Sequence, residues 1–292
     1  MTSANVSFDK IQTSTRKPGV YVEWNTKLAV RNLPTNKQRV LLIAQHSNPK
    51  AGKLTALANI YSAADVAAAY GAGSQAHLMA LAAIKAYAYA DLSLITVADN
   101  EAGVAATGSI TITGTADTQG VLRVNIGNAD ALTVGVAANA TAATVAAAIK
   151  AAIDAETSLP VTATASEGLV TLTAKNKGTH GNHIRIRTGN TAEGITVTVK
   201  AMSGGDADAD IGPALNAVIA EGHNLIAVGC TDEANLLKLR THLETVGAPE
   251  EKRWALGIYG QTGALAQTTT QAGRLNSGYL YAAWYRKTPS LP

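Results

Sequence analysis

Cys230 is the residue whose type and position come nearest to chemistry. It follows an apolar run, NLIAVG (residues 224–229), and precedes the start of a helical pattern. A helix N-terminus favours a thiolate, and many α/β enzymes keep a nucleophile there. Asp232, His223 and His242 are its titratable neighbours in sequence. Strand and helix geometry does not obviously converge them on the sulfur. A small residue packed at a strand end is therefore the preferred reading, and rapid labelling by iodoacetamide would mark the enzymatic alternative.

Other candidate constellations fail on their spacing. Asp206, Asp208 and Asp210 open like a calcium loop, but Ile211 stands where glycine is needed and Ala217 where a closing glutamate belongs. A polar hinge with a helix cap at Asp210 fits better. His180 and His183, in GTHGNHIRI, have the spacing of a shared metal site but no third ligand nearby, and the pattern there is a turn followed by a strand. Gly71, Gly73 and Ser74 look like a phosphate turn, yet they follow a helix and not a strand. A helix–helix elbow, with Gly71 closing one helix and Ser74 opening the next, is expected instead. No GxxxxGK[ST], GxSxG or HExxH occurs. No catalytic, cofactor or metal site is expected, and the chain is read as a non-enzyme.

Composition narrows the class further. Of 292 residues, 47% are hydrophobic and only 15% charged, which is a folded globular composition. The formal charge is +3 and the basic residues are scattered, so no nucleic-acid stripe is visible. A single cysteine excludes an internal disulfide and fits assembly in a reducing cytoplasm. The opening MTSANVSFDKIQ lacks a signal-peptide pattern, and no apolar run approaches the ~20 residues of a spanning helix. No membrane partner is expected.

The elements that would carry these residues follow from periodicity. VLLIA (residues 40–44) and LSLITV (92–97) are continuous apolar runs, the pattern of strands buried on both faces. Between them, residues 62–65 open a helix ending near Tyr70, and Ser74 opens a second with Leu78, Leu81 and Ile84 at helical spacing. From Gly108 to Lys200 the texture changes to short alternating strands: SITITGT, VLRVNIG, ALTVGVA, PVTATAS, LVTLTAK, HIRIRTG and ITVTVKA. One helix, about residues 142–155, interrupts them with a stripe of Val145, Ile149, Ala152 and Ile153. After Gly204 and Gly205 the first rhythm returns. Asp210 caps a helix running to about Glu221, and NLIAVG is a strand. Thr231 caps a helix lined by Leu236, Leu239, Leu243 and Val246, and WALGIY (254–259) and GYLYAAW (278–284) are strands.

The expected fold is an α/β core with a mixed, largely parallel sheet flanked by helices, carrying an inserted β-rich α+β domain and an extended N-terminal arm. The boundaries are arm 1–22, core 23–103, insertion 104–203 and core again 204–292. The arm is polar and alternating, and Pro18 holds Lys17 away from helix. Such a leader cannot bury itself on its own domain, and a neighbour's sheet edge is the usual receiver. Arg16, Pro18, Val20, Tyr21 and Val22 are the candidate intersubunit contacts.

Several segments together resemble the tail sheath proteins of contractile, Mu-like bacteriophages. They are PGVYVEWNTKLAV (18–30) with QRVLLIAQ (38–45), YGAGSQAHLMALAAIKA (70–86), and ITITGTADTQGVLRVNIGNADALTVGV (110–136). TAATVAAAIKAAIDA (141–155), LPVTATASEGLVTLTAKNKGTHGN (159–182), LIAVGCTDEANLLKLRTHL (225–243) and LNSGYLYAAWYRKTPSLP (275–292) complete the series. The resemblance implies a structural subunit that assembles helically around a tail tube in the host cytoplasm and becomes part of the virion. It implies contraction that drives genome delivery, with arms lent to neighbours. Its implied partners are further copies of the chain, the tail tube protein, the baseplate and the tail terminator. The family continues past Pro292 into a C-terminal domain, so the chain is expected to lack the inner face toward the tube and the hairpin that receives arms. The competing expectation is a surface adhesin or carbohydrate-binding virion module, resting on the β-rich insertion. Residues 108–200 contain no Phe, Tyr or Trp to serve as a sugar platform.

Overall fold

The computed structural model describes Arg16, residues 18–20 and residues 38–285, the last without its side chain. The chain divides after Lys37. The later unit is a mixed α/β structure with three sheets and six α-helices among the described residues.

Continuous apolar runs build the largest sheet. Its strands are β1 (Arg39–Gln45), β2 (Ala58–Asn59), β3 (Asp91–Val97), β11 (Leu225–Val228), β12 (Leu256–Thr262) and β13 (Leu280–Tyr285), in the spatial order β13-β12-β11-β1-β3-β2. All pairings are parallel except the short β2 edge. A strand buried on both faces must feed two layers, and β1 does so residue by residue. Leu41 and Ile43 join the core under α4 (Gly212–Val218) and α5 (Glu233–Val246), whereas Leu42 and Ala44 join the core under α1 (Ala63–Tyr70) and α2 (Gln75–Ala86).

The chain between β3 and β11 makes the other two sheets. One has the order β10-β4-β8-β7 and the other β6-β5-β9. The strands are β4 (Thr107–Gly114), β5 (Gly120–Ile126), β6 (Leu132–Val136), β7 (Val161–Ser166), β8 (Leu169–Ala174), β9 (Ile186–Asn190) and β10 (Ile195–Ser203), all paired antiparallel. Period-2 alternation sends Leu122, Val124 and Ile126 inward while Arg123 faces water. The helix α3 (Ala142–Ala155) closes this layer with Val145, Ala146, Ile149 and Ile153. These side chains share one core with Ile110, Ile112 and Leu172. Where the chain enters and leaves this region, Val104 and Asp206 exchange backbone hydrogen bonds (3.0 and 3.2 Å), and Asn182 bonds Gly205 both ways (2.8 Å each).

The structure corrects several local expectations. In α2 the buried side is Ala76, Met79 and Ala80, with Ile84 packed against the same core; Leu78 and Leu81 lie on its more open side, and Leu81 is exposed. Small residues at 76 and 80 let the helix approach the sheet, so size outweighs hydrophobicity in choosing the face. Asp232, not Thr231, is the N-cap of α5, accepting the Asn235 N–H (3.2 Å). Helix α4 ends at Val218, and Ile211 occupies its N-cap without a side-chain bond. Asp210 instead accepts the Gly212 N–H (2.7 Å) and pairs with Lys238. Residues 179–183 form a 3₁₀ turn, so the following strand starts at Ile186 and not at His183. Trp254 is exposed ahead of β12 and is not part of it. Helix α6 (Leu265–Leu275) and the edge strand β2 were not expected.

Candidate functional site

In an open parallel sheet the ligand crevice lies beyond the carboxyl ends of the strands, where the strand order reverses. Here that place is between β1 and β11. The chain leaves β1 toward β3 on one side, then returns across to β11 on the other. The flanking loops begin at Gln45 and Gly229, and the N-terminus of α2 lies against both.

Protein side chains fill this crevice. Ser74 caps α2 on the His77 N–H (3.2 Å), which sets the next side chain, Gln75, into the gap. Gln75 Oε1 accepts the Gln45 N–H (2.9 Å), and its Nε2 donates to the Gly229 carbonyl (3.0 Å). A Cβ at 229 would overlap the Gln75 amide and displace it from these bonds. Asn176, from the loop after β8, closes the gap from above. Its Oδ1 accepts the Gln75 N–H (2.9 Å), and its Nδ2 donates to the His46 carbonyl (3.0 Å) and to Asp99 Oδ1 (2.9 Å). Asp99 also accepts from Gln45 Nε2 (3.0 Å) and from the Lys177 N–H (3.0 Å), and Gln45 Nε2 donates to the Lys177 carbonyl (3.0 Å). Gln45, Gln75 and Asn176 are all buried. The space left beside Gln75, Asn176 and His180 is a cavity of about 10 Å³, room for one water and no substrate.

Cys230 sits at the floor of this network. It is fully buried, and its thiol donates weakly to Gln45 Oε1 (3.8 Å). Burial raises its pKa well above the ordinary thiol value, and the carboxylates of Asp208 and Asp232 push the same way. The environment therefore opposes a thiolate, which corrects the electrostatic expectation from the helix N-terminus. Burial outweighs the dipole. His223 and His242 do not gather on the sulfur: they line a different small cavity with Arg253, between α4 and α5.

The remaining candidates fall into structural contacts. Asp208 accepts the N–H and hydroxyl of Thr179 (2.5 and 2.7 Å), tying the 3₁₀ turn to the returning chain. Asp206 pairs by its backbone with Val104, and Asp210 holds the start of α4. Among the described residues no three His, Cys, Asp or Glu side chains form a metal set. Gly71 closes α1 in a positive-φ conformation (φ 102°), donating to the Ala67 carbonyl, and Gly73 donates to His77 Nδ1 (3.0 Å). The glycines thus make the helix elbow. Arg16, Pro18 and Val20 are exposed, Val20 at 94%. Tyr21 and Val22 lie outside the described residues. Gln45, Gln75, Asp99 and Asn176 were not singled out from the sequence. Its one clue was a glutamine closing an otherwise apolar strand.

The comparisons with known proteins bear on a chain with a filled crevice. No family model matches. Over 284 residues, 95% of this chain, it is 29% identical to the Mu-like prophage FluMu tail sheath protein of Haemophilus influenzae. This chain is similar along almost its whole length to a phage tail sheath protein. The alignment runs through both the parallel sheet and the two antiparallel ones, so the resemblance seen in separate motifs is a likeness of the whole. The chain spans 58% of the length of that sheath protein. A solved sheath tail protein from Desulfitobacterium hafniense is 15% identical, over 90% of this chain and 55% of its own, with a TM-score of 0.34. That score does not establish a shared fold. No helix among the described residues is long and apolar enough to cross a membrane.

Proposed function

We propose that this chain is a structural, non-enzymatic subunit of a contractile phage tail sheath. The likeness to a tail sheath protein along 95% of its length carries this reading. The filled crevice supports it, because the position where an α/β fold would bind substrate is spent on holding two parts of the body together. The subunits wrap helically around a tail tube and belong to the virion. They assemble in the host cytoplasm, and their contraction drives genome delivery. Two discrete packings of the same surfaces would store the energy, with no nucleotide consumed. Residues 23–103 and 204–292 serve as the core, 104–203 as an inserted domain and 1–22 as the arm. Arg16, Pro18, Val20, Tyr21 and Val22 lie along a neighbour as an added strand, so backbone bonds survive when subunits slide. Other copies, the tail tube protein, the baseplate and the tail terminator are its partners.

Deletion of residues 1–22 from the native gene product tests the arm. Wild-type protein is expected to pellet as polymer on ultracentrifugation, and the deletion to stay in the supernatant with unchanged circular dichroism. Equal pelleting of both would reject the arm as the joint.

A further inference from the structure

The seam between residues 175–183 and the parallel sheet gathers four of the six histidines of the chain: His46, His77, His180 and His183. Two of the rings, His77 and His180, are placed so that a proton would do damage. His77 Nδ1 accepts the Gly73 N–H (3.0 Å), which only an unprotonated nitrogen can do. That bond holds the elbow between α1 and α2. His180 Nδ1 is buried with no hydrogen-bond partner, and its ring lines the one-water cavity beside Gln75 and Asn176. His46 Nδ1 is buried and unpartnered too, while its Nε2 meets the Gly52 carbonyl (2.9 Å). His183 Nδ1 shares a hydrogen bond with Thr262 at the end of β12 (2.8 Å).

Charged groups act on the rings from the elements packed against them. Lys175 lies in the same segment with its ammonium on the carbonyls of Ala72 and Thr157 (2.8 Å each), and Lys177 reaches the Glu101 carbonyl (3.2 Å). Asp99, from the chain after β3, acts on His180; Asp208, from the return to the core, acts on His183; and Glu156, at the end of α3, acts on Lys175.

We propose that His77, His180 and His183 make the seam a proton-operated latch: neutral, they hold residues 175–183 in the crevice, and protonated, they release that segment while the antiparallel core stays folded. Protonation of His77 removes the acceptor for Gly73 and sets a cation beside Lys175. Protonation of His180 places a charge in a buried cavity where no protein group accepts from its Nδ1. The directions of titration agree. Burial lowers the pKa of His77, and Lys175 adds to it. Burial lowers that of His183 against the pull of Asp208. His180 falls to about 4, through burial first, with Asp99 opposing and His183 adding. A depressed histidine stabilises the closed seam fully above its free value near 6.5 and loses that contribution as pH falls toward 4. For His180 alone the closed-to-open ratio drops roughly 300-fold across that window. Strands β4 to β8 and helix α3 carry no histidine, and His180 touches the antiparallel core only at its edge, beside Ala174 and Ile184. The latch is independent of the assembly reading.

Hydrogen exchange with mass spectrometry on the 292-residue chain, from about pH 7.5 to about pH 4.5 and corrected for intrinsic rates, tests it. Peptides over residues 71–77 and 175–183 are expected to lose at least tenfold protection near the acid end, while β5 and β8 keep theirs. Retained protection of 175–183 at the acid end would overturn the latch. So would loss of all peptides together at one midpoint. NMR titration of the wild-type histidines supplies a second readout that needs no variant: His180 is expected to titrate far below 6.5, and an ordinary value would contradict the proposal. In His180→Gln the release should move to lower pH.

Discussion

The parallel sheet and the antiparallel pair of sheets are held together in different ways. In the antiparallel region every inward position is apolar, from Ile110 and Leu122 to Ile149 and Leu172, and alternation alone chooses the buried face. The parallel region buries Gln45, His46, Ser74, Gln75, His77, Ser93, Thr96, His223, Asn235, His242 and Thr268 among its aliphatic residues, and the first five stand at or near the strand ends where Asn176 docks. The first kind of core tolerates substitution as long as size and pattern are kept. The second depends on particular partners, because a buried amide that loses its bond keeps its desolvation cost. Because the antiparallel core closes on its own apolar side chains, its loops can vary without disturbing the sheet beneath.

That contrast can be broken in order of size. Leu122→Ala should cost about 2–5 kcal/mol in chemical denaturation, since it empties a fully buried site in the antiparallel core. Its effect should be confined to that core, and equal loss of exchange protection in β1 and β3 would show that the two regions do not have separate cores. Asn176→Ala should cost about 1–3 kcal/mol by stranding the Gln75 N–H and the His46 carbonyl. An unchanged denaturation midpoint would remove the seam from the account. Asp232→Ala should cost about 1 kcal/mol by uncapping α5, with Thr231→Ala near zero, and the reverse order would restore the sequence-based cap. Smallest of all, Cys230 should resist iodoacetamide in the folded protein and react only on unfolding. Fast native labelling would reopen the enzymatic reading.

How much was legible follows from the same contrast. Strands β4 to β8 and β10, helix α3, and the Leu236, Leu239, Leu243 and Val246 stripe of α5 are written in local periodicity, and they lie within a few residues of where the pattern puts them. Helix α6 was not visible because LAQTTTQAGRL has three consecutive threonines and no side-chain cap. The buried side of α2 was misread because small Ala76 and Ala80 pack closer than the larger leucines on the open side. The seam itself was illegible. Gln75 and Asn176 look like surface residues, and only pairing across 101 positions makes them core. A sequence shows burial when it is periodic, but a polar side chain buried by a distant loop leaves no local trace.

Electron microscopy of the product of the native gene, expressed alone and with its tail tube protein, tests the central claim most directly. The account predicts hollow, helically striated cylinders that occur in a long, narrow and a short, wide form. A preparation that stays as dispersed particles, with no cylinder under either condition, would contradict it.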